Sequence, residues 1–173
     1  LGRAFVAGHL YLPVRPAMHR MRDMALYRGR YYLYHGAAPA LLLFAPYRLL
    51  TGHDLPENFA LFLLCYGGFV FSALALLRMM RLARVEPGPG ALALLLLALG
   101  LCTSVPYLLN RVFVYEVAIG GGYFSIAAAF YFLIRGFDSH RRAACCAAAG
   151  LCFGLAIACR PNLGIAAVFA IAA

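Results

Sequence analysis

The chain contains no lysine and little acid: its fifteen basic residues are all arginine, against six Asp and Glu, and only 12% of its 173 positions are charged. So little charge cannot solvate a soluble domain of this size. With 65% hydrophobic residues and a mean hydropathy of +0.83, the sequence falls in the integral-membrane class. Metal and disulfide frameworks are also missing. The six cysteines (65, 102, 145, 146, 152 and 159) lie in apolar blocks without CxxC or Cys/His spacing, so they read as small buried hydrophobes. No helix-turn-helix, zinc-finger or RNA-binding pattern accompanies the net charge of +9, so the basic excess points to a membrane surface and no nucleic-acid partner is expected. A lysine-free, alanine-rich composition reflects GC-rich coding first. Arginine nevertheless offers phosphate a planar fork that lysine lacks.

What is abundant is membrane-spanning material. Residues 59–77, 91–109 and 112–134 each approach or exceed the roughly 20 residues that cross about 30 Å of hydrocarbon as a helix, and 143–159 is a shorter fourth block. A fifth, 163–173, is still apolar at the last residue, and no methionine opens the chain, which reads as an internal fragment of a longer protein. No signal-peptide pattern is present at the start. The fold class expected is all-α, a polytopic transmembrane helical bundle forming a single membrane domain over 1–173, with an amino-terminal extracytoplasmic loop and a short interfacial helix within 1–58 and transmembrane helices over 59–173.

The loops give the sidedness. Arg78, Arg81 and Arg84 precede the rigid turn EPGPG, and Arg135, Arg141 and Arg142 occupy RGFDSHRR. Both loops fall on one side if 91–109 and 112–134 form a hairpin, and the positive-inside rule makes that side cytoplasmic. The first 37 residues hold six arginines against the single acid Asp23, so charge alone would place them in the cytoplasm as well. That placement needs 37–50 to span. Fourteen residues rise only about 21 Å as a helix, and Pro39 and Pro46 interrupt them, so the segment is expected to dip into the interface and return. Residues 1–58 then lie together outside. Asp54-Leu55-Pro56-Glu57 matches a helix start, with Asp54 as N-cap, rather than a catalytic carboxylate pair. Gly67-Gly68, Gly120-Gly121-Gly122 and the small residues of 143–150 are helix-packing devices and not a nucleotide loop.

Three places carry chemistry. Glu116, in VFVYEVAIGGGY, is the one acid embedded in an apolar span, where a carboxylate faces a cavity or a partner. It reads equally as a salt bridge to Arg111 and as a substrate contact. Arg160, in ACRPN, interrupts an apolar stretch and needs an anion, either an ordinary headgroup or a substrate phosphate. The third is the opening constellation of His9, Asp23, Tyr27, Arg28, Arg30, Tyr31, Tyr32, Tyr34 and His35. An interfacial tyrosine belt explains most of these aromatics without a function. It does not explain Asp23.

The order GHLYLPVRP, then Asp23 ahead of YRGRYYLYHGAAPALLLFAPYRLLTGHDLPEN, then YEVAIGGGYF and GLAIACRPN resembles the amino-terminal half of bacterial multi-spanning membrane proteins grouped with the GT-C glycosyltransferases. The resemblance covers nearly the whole chain. It implies a glycosyltransferase of the bacterial inner (cytoplasmic) membrane whose partners are membrane lipid and a polyprenyl-phosphate-linked sugar donor. Asp23 is the position that fits the family's acidic residue, as catalytic base. Arg28, Arg30 and Arg160 would bind the donor phosphate, and Tyr31, Tyr32, Tyr34, His35 and Glu116 would complete the substrate site. Many members carry an adjacent acidic pair where this sequence has a lone acid. No cofactor is expected, and the sequence offers no clear ligand set for a divalent metal. The rival readings are a transporter or lipid flippase with Glu116 and Arg160 along its path, and a non-catalytic membrane scaffold.

Overall fold

The computed structural model describes residues 2–13, 24–33, 36–110 and 114–172. Among these residues the chain is all-α apart from one β-hairpin, and three helices are long and apolar enough to cross a membrane. They are α3 (Glu57–Leu82), α6 (Val114–Gly136) and α7 (Arg142–Cys159). At 1.5 Å per residue they reach about 39, 35 and 27 Å, against about 30 Å of hydrocarbon. Much of their surface faces outward rather than into the chain, as expected where hydrocarbon is the solvent.

Glycines set how the three helices meet. A Cβ on Gly120 of α6 would stand 2.8 Å from the Leu61 side chain, and one on Gly68 of α3 would stand 2.5 Å from the Tyr123 ring. Each glycine thus makes room for a side chain of the other helix, and the two run parallel with Leu61, Leu64, Cys65 and Val117 buried between them. Further along, Phe71 meets Phe124, Tyr131 and Phe132 at ring distances of 5.6–6.0 Å. α7 returns antiparallel against α6, through Phe130 on Phe153 at 5.7 Å. Because apolar packing gains little over lipid tails, close approach through small residues is what holds such helices together.

The chain returns from α3 to α6 by a broken path. The single span expected at 91–109 is instead α4 (Pro89–Leu101) and α5 (Val105–Asn110), with a bend between them. Pro106 explains the break: it has no N–H to donate, and its ring would collide with the carbonyl four residues back, at Cys102. Thr103 caps the interruption, its hydroxyl donating to the Gly100 carbonyl and accepting from the Val105 amide.

The bundle has two distinct ends. At one, the α3 terminus meets the α6–α7 loop, where Arg78 donates to Asp138 and holds its carboxyl below the usual range. This contact joins the two arginine-bearing loops directly. At the other lie the starts of α3 and α6, the end of α7 and the amino-terminal segment. That segment contains α1 (Gly2–Val6), the hairpin strands β1 (Met24–Tyr27) and β2 (Arg30–Leu33), and a helix over 38–51. The last of these is π-wound at Ala40–Phe44, where the Ala45 amide reaches the Ala40 carbonyl, and continues as α2 (Ala45–Thr51). The wider turn lies just ahead of Pro46, where an α-helical carbonyl would clash with the ring. Gly52 ends the helix at φ 72°, a left-handed cap.

Asp54 does not cap α3. The helix starts at Glu57 with Pro56 before it and no side-chain cap. Asp54 turns back instead to accept from Arg3 and Arg48, with Arg3 Nε at 2.8 Å, and so fastens α1 to the end of α2. The two arginines, Arg3 foremost, lower the Asp54 pKa from its ordinary 3.8 to about 2. A lowered carboxylate pKa contributes stability above the unfolded value and loses it as the pH falls through the folded one. Amide-exchange protection of α1 is thus expected to be intact above about pH 4 and lost towards pH 2, whereas Asp54→Asn should show weak protection at both.

Candidate functional site

Tyr27, Arg28, Arg30, Tyr31 and Tyr32 of the amino-terminal constellation lie on the hairpin, where the sequence leads one to expect only a surface loop. Met24 pairs with Leu33, Ala25 with Tyr32, Leu26 with Tyr31 and Tyr27 with Arg30. The two-residue turn is Arg28-Gly29, both with positive φ, 51° and 73°. That is the left-handed geometry whose twist suits a tight hairpin. The readable signal was a lone X-Gly pair between two runs of strand-forming residues. Leu12 adds a bridge, its amide donating to the Tyr31 carbonyl at 2.8 Å.

The hairpin aromatics are occupied by cations and by one another. The Arg30 guanidinium lies 4.4 Å from the centre of the Tyr11 ring, on which His9 stacks at 4.9 Å. Arg28 lies 5.2 Å from the Tyr27 ring, and Tyr27 meets Tyr32 edge-on at 6.4 Å. Asp23, Tyr34, His35 and Arg111 lie outside the described residues.

Beyond the hairpin, the chain crosses the end of α7. A Cβ on Gly36 would fall 2.0 Å from the Ala158 carbonyl oxygen and 2.1 Å from that of Cys159, so only glycine fits. Pro39 then lies against Gly121 of α6, whose Cβ would be 3.1 Å from the proline ring. The next residue after Cys159 is Arg160. It leaves the helix in an extended conformation, φ −150° and ψ 116°, and the chain resumes as a 3₁₀ turn at Pro161–Leu163 and then α8 (Gly164–Ala172). Its amide still donates to Ala156 at 2.9 Å. The half-buried Arg160 side chain has no carboxylate partner among the described residues.

Glu116 stands in the first turn of α6, one turn ahead of Gly120 on the helix. Its Oε2 is shut off from solvent and has no hydrogen-bond partner among the described residues. Leaving a buried acceptor unmet costs on the order of 1–3 kcal/mol, more if it is charged. On the same half of the bundle, the bend between α4 and α5 opens an apolar cavity of about 300 Å³, bounded by Phe62, Tyr66 and Phe69 of α3, Leu97 of α4 and Tyr123 of α6. The sequence signal for this cavity was Pro106.

The fold thus brings the Gly36 crossing, Arg160, Glu116 and the cavity to one end of the bundle, with the hairpin on the same end. Among the described residues no three His, Cys, Asp or Glu side chains form a metal-binding group. No protein-family model, curated protein or solved structure matches the chain.

Proposed function

We propose that this chain works as an integral-membrane glycosyltransferase, moving a sugar from a polyprenyl-phosphate donor to an acceptor on the extracytoplasmic side of a bacterial inner membrane. The observation that carries the reading is that, among the described residues, a guanidinium without a carboxylate partner, a buried carboxylate oxygen without a hydrogen-bond donor and an apolar cavity all lie on the same half of a membrane bundle. A lipid-linked sugar phosphate needs those three things together: a cation for phosphate, an acceptor for sugar hydroxyls and an apolar bed for the chain. The opposite end carries the arginines of both basic loops, joined by Arg78 and Asp138, so the positive-inside rule puts the site outside. Residues 1–58 then form the outer lip, with the helix over 38–51 lying in the interface, its Leu49 and Leu50 exposed to lipid.

In this site Asp23 takes the proton of the acceptor hydroxyl. The acceptor oxygen attacks the anomeric carbon, the bond from that carbon to the phosphate oxygen breaks, and the phosphate leaves with the electron pair. Arg160 binds the departing charge. Tyr31, Tyr32, Tyr34 and His35 line the sugar, and Glu116 accepts one of its hydroxyls. Arg28 and Arg30, laid over tyrosine rings at the hairpin tip, are left out of this role.

A charge-assisted hydrogen bond contributes about 1.5–3 kcal/mol, so Arg160→Gln should weaken donor use by roughly 10- to 150-fold. The assay is transfer from a synthetic polyprenyl-phosphate sugar in proteoliposomes, and unchanged donor dependence would remove Arg160 from the site. The broken α4–α5 path favours one second reading, transport, since interrupted helices line many transport routes. Saturable solute uptake without glycosylated product would decide for it.

A further inference from the structure

The turn of the hairpin is an unusual place for an arginine. Arg28 holds φ 51°, a conformation that asparagine or glycine adopts at lower cost. The tip is also apolar where a soluble hairpin would be polar: Leu26 is 63% exposed and Tyr27 59%. From Met24 to His53 the sequence holds Arg28, Arg30 and Arg48 and not one acid. Arg48 is engaged by Asp54, which leaves the two tip arginines without a carboxylate among the described residues. Both keep their guanidinium groups against aromatic rings, which orders them before any anion arrives. Leu10, two residues from the bridge that ties Leu12 to Tyr31, is 78% exposed.

We propose that the hairpin tip docks on the bilayer surface, with Arg28 and Arg30 meeting the phosphates of anionic lipid headgroups and Leu26 and Tyr27 entering the interfacial layer. The charge pattern selects the partner. Exposed apolar side chains set between unneutralised arginines suit a surface that is anionic at the headgroups and apolar just beneath. The hairpin already belongs to a protein whose other elements cross that bilayer, so the surface lies beside it at high local concentration. Binding here involves bulk lipid, and it does not depend on the glycosyltransferase reading.

The chain has no tryptophan, so Leu26→Trp gives a single reporter at a side chain that packs against little. The full chain carrying this substitution would be reconstituted in vesicles of phosphatidylcholine with increasing phosphatidylglycerol, without any glycosyl donor, with headgroup-proximal brominated lipid as the quencher. Quenching should rise with the phosphatidylglycerol fraction and fall in high salt. Adding Arg28→Gln and Arg30→Gln should lower the docked-to-free ratio by roughly fivefold per arginine, about 30-fold together. The titration with phosphatidylglycerol needs no arginine substitution, so it stands even if the double variant misfolds. Quenching that is absent at every composition, or that is the same in pure phosphatidylcholine as in anionic vesicles, overturns the proposal.

Discussion

Asp23→Asn should lower glycosyl transfer by on the order of 10²- to 10⁴-fold, the usual contribution of a positioned general base, while the protein still accumulates in the membrane. Asparagine keeps the size of the side chain and loses the ability to take a proton. Asp23 is the only acid in the first 53 residues and immediately precedes β1, and the next acid of the outer lip, Asp54, is held by Arg3 and Arg48. Transfer by Asp23→Asn at the wild-type rate would remove the base from the mechanism. It would leave Arg160 and the apolar cavity untouched, because those rest on separate observations.

Gly36→Val should lift the amino-terminal segment off the bundle. The new Cβ would meet two backbone carbonyl oxygens at about 2 Å, and carbonyls at a helix end cannot rotate away as a side chain could. Overpacking of this kind costs typically 1–3 kcal/mol and occasionally more, and the backbone partners put this site at the upper end. The expected readout is the thiol of Cys159, 2% exposed. With the other cysteines replaced, it should resist maleimide in the native chain and react in Gly36→Val. Gly150→Ala is the control. A Cβ there meets nothing within 4 Å, so Cys159 should stay protected. A Cys159 as unreactive in Gly36→Val as in the native chain would mean that the crossing does not hold the lip in place.

The spans were legible because hydrocarbon demands long apolar helices, and the blocks at 59–77, 112–134 and 143–159 fall within α3, near the bounds of α6 and within α7. The close approach at Gly68 of α3 and Gly120 and Gly121 of α6 was legible for the same reason, whereas Gly150, read with them as a packing device, meets nothing within 4 Å. Pro106 was overlooked because hydropathy averages over a window, whereas a missing N–H acts at one residue. Asp54 was misread because Asp-x-x-Glu is a local pattern, and what decides its partner is Arg3, 51 positions away in sequence and adjacent only after folding. The hairpin was hidden by its turn, where arginine stands in place of the usual asparagine or glycine. Arg160 and Glu116 were picked out in the sequence as charges that an apolar helix does not tolerate without reason. Their placement at the same end as the Gly36 crossing depends on the antiparallel packing of α6 and α7, which no local pattern encodes.

The arrangement of the whole molecule is tested most directly by labelling from each side of the membrane. His53 and His140 are exposed at opposite ends of the bundle. Each can be changed to cysteine in a background without native cysteines and probed with a membrane-impermeant maleimide in intact cells and in inverted vesicles. The account predicts that His53→Cys reacts in intact cells and His140→Cys only in inverted vesicles. Reaction of both in the same preparation would contradict it.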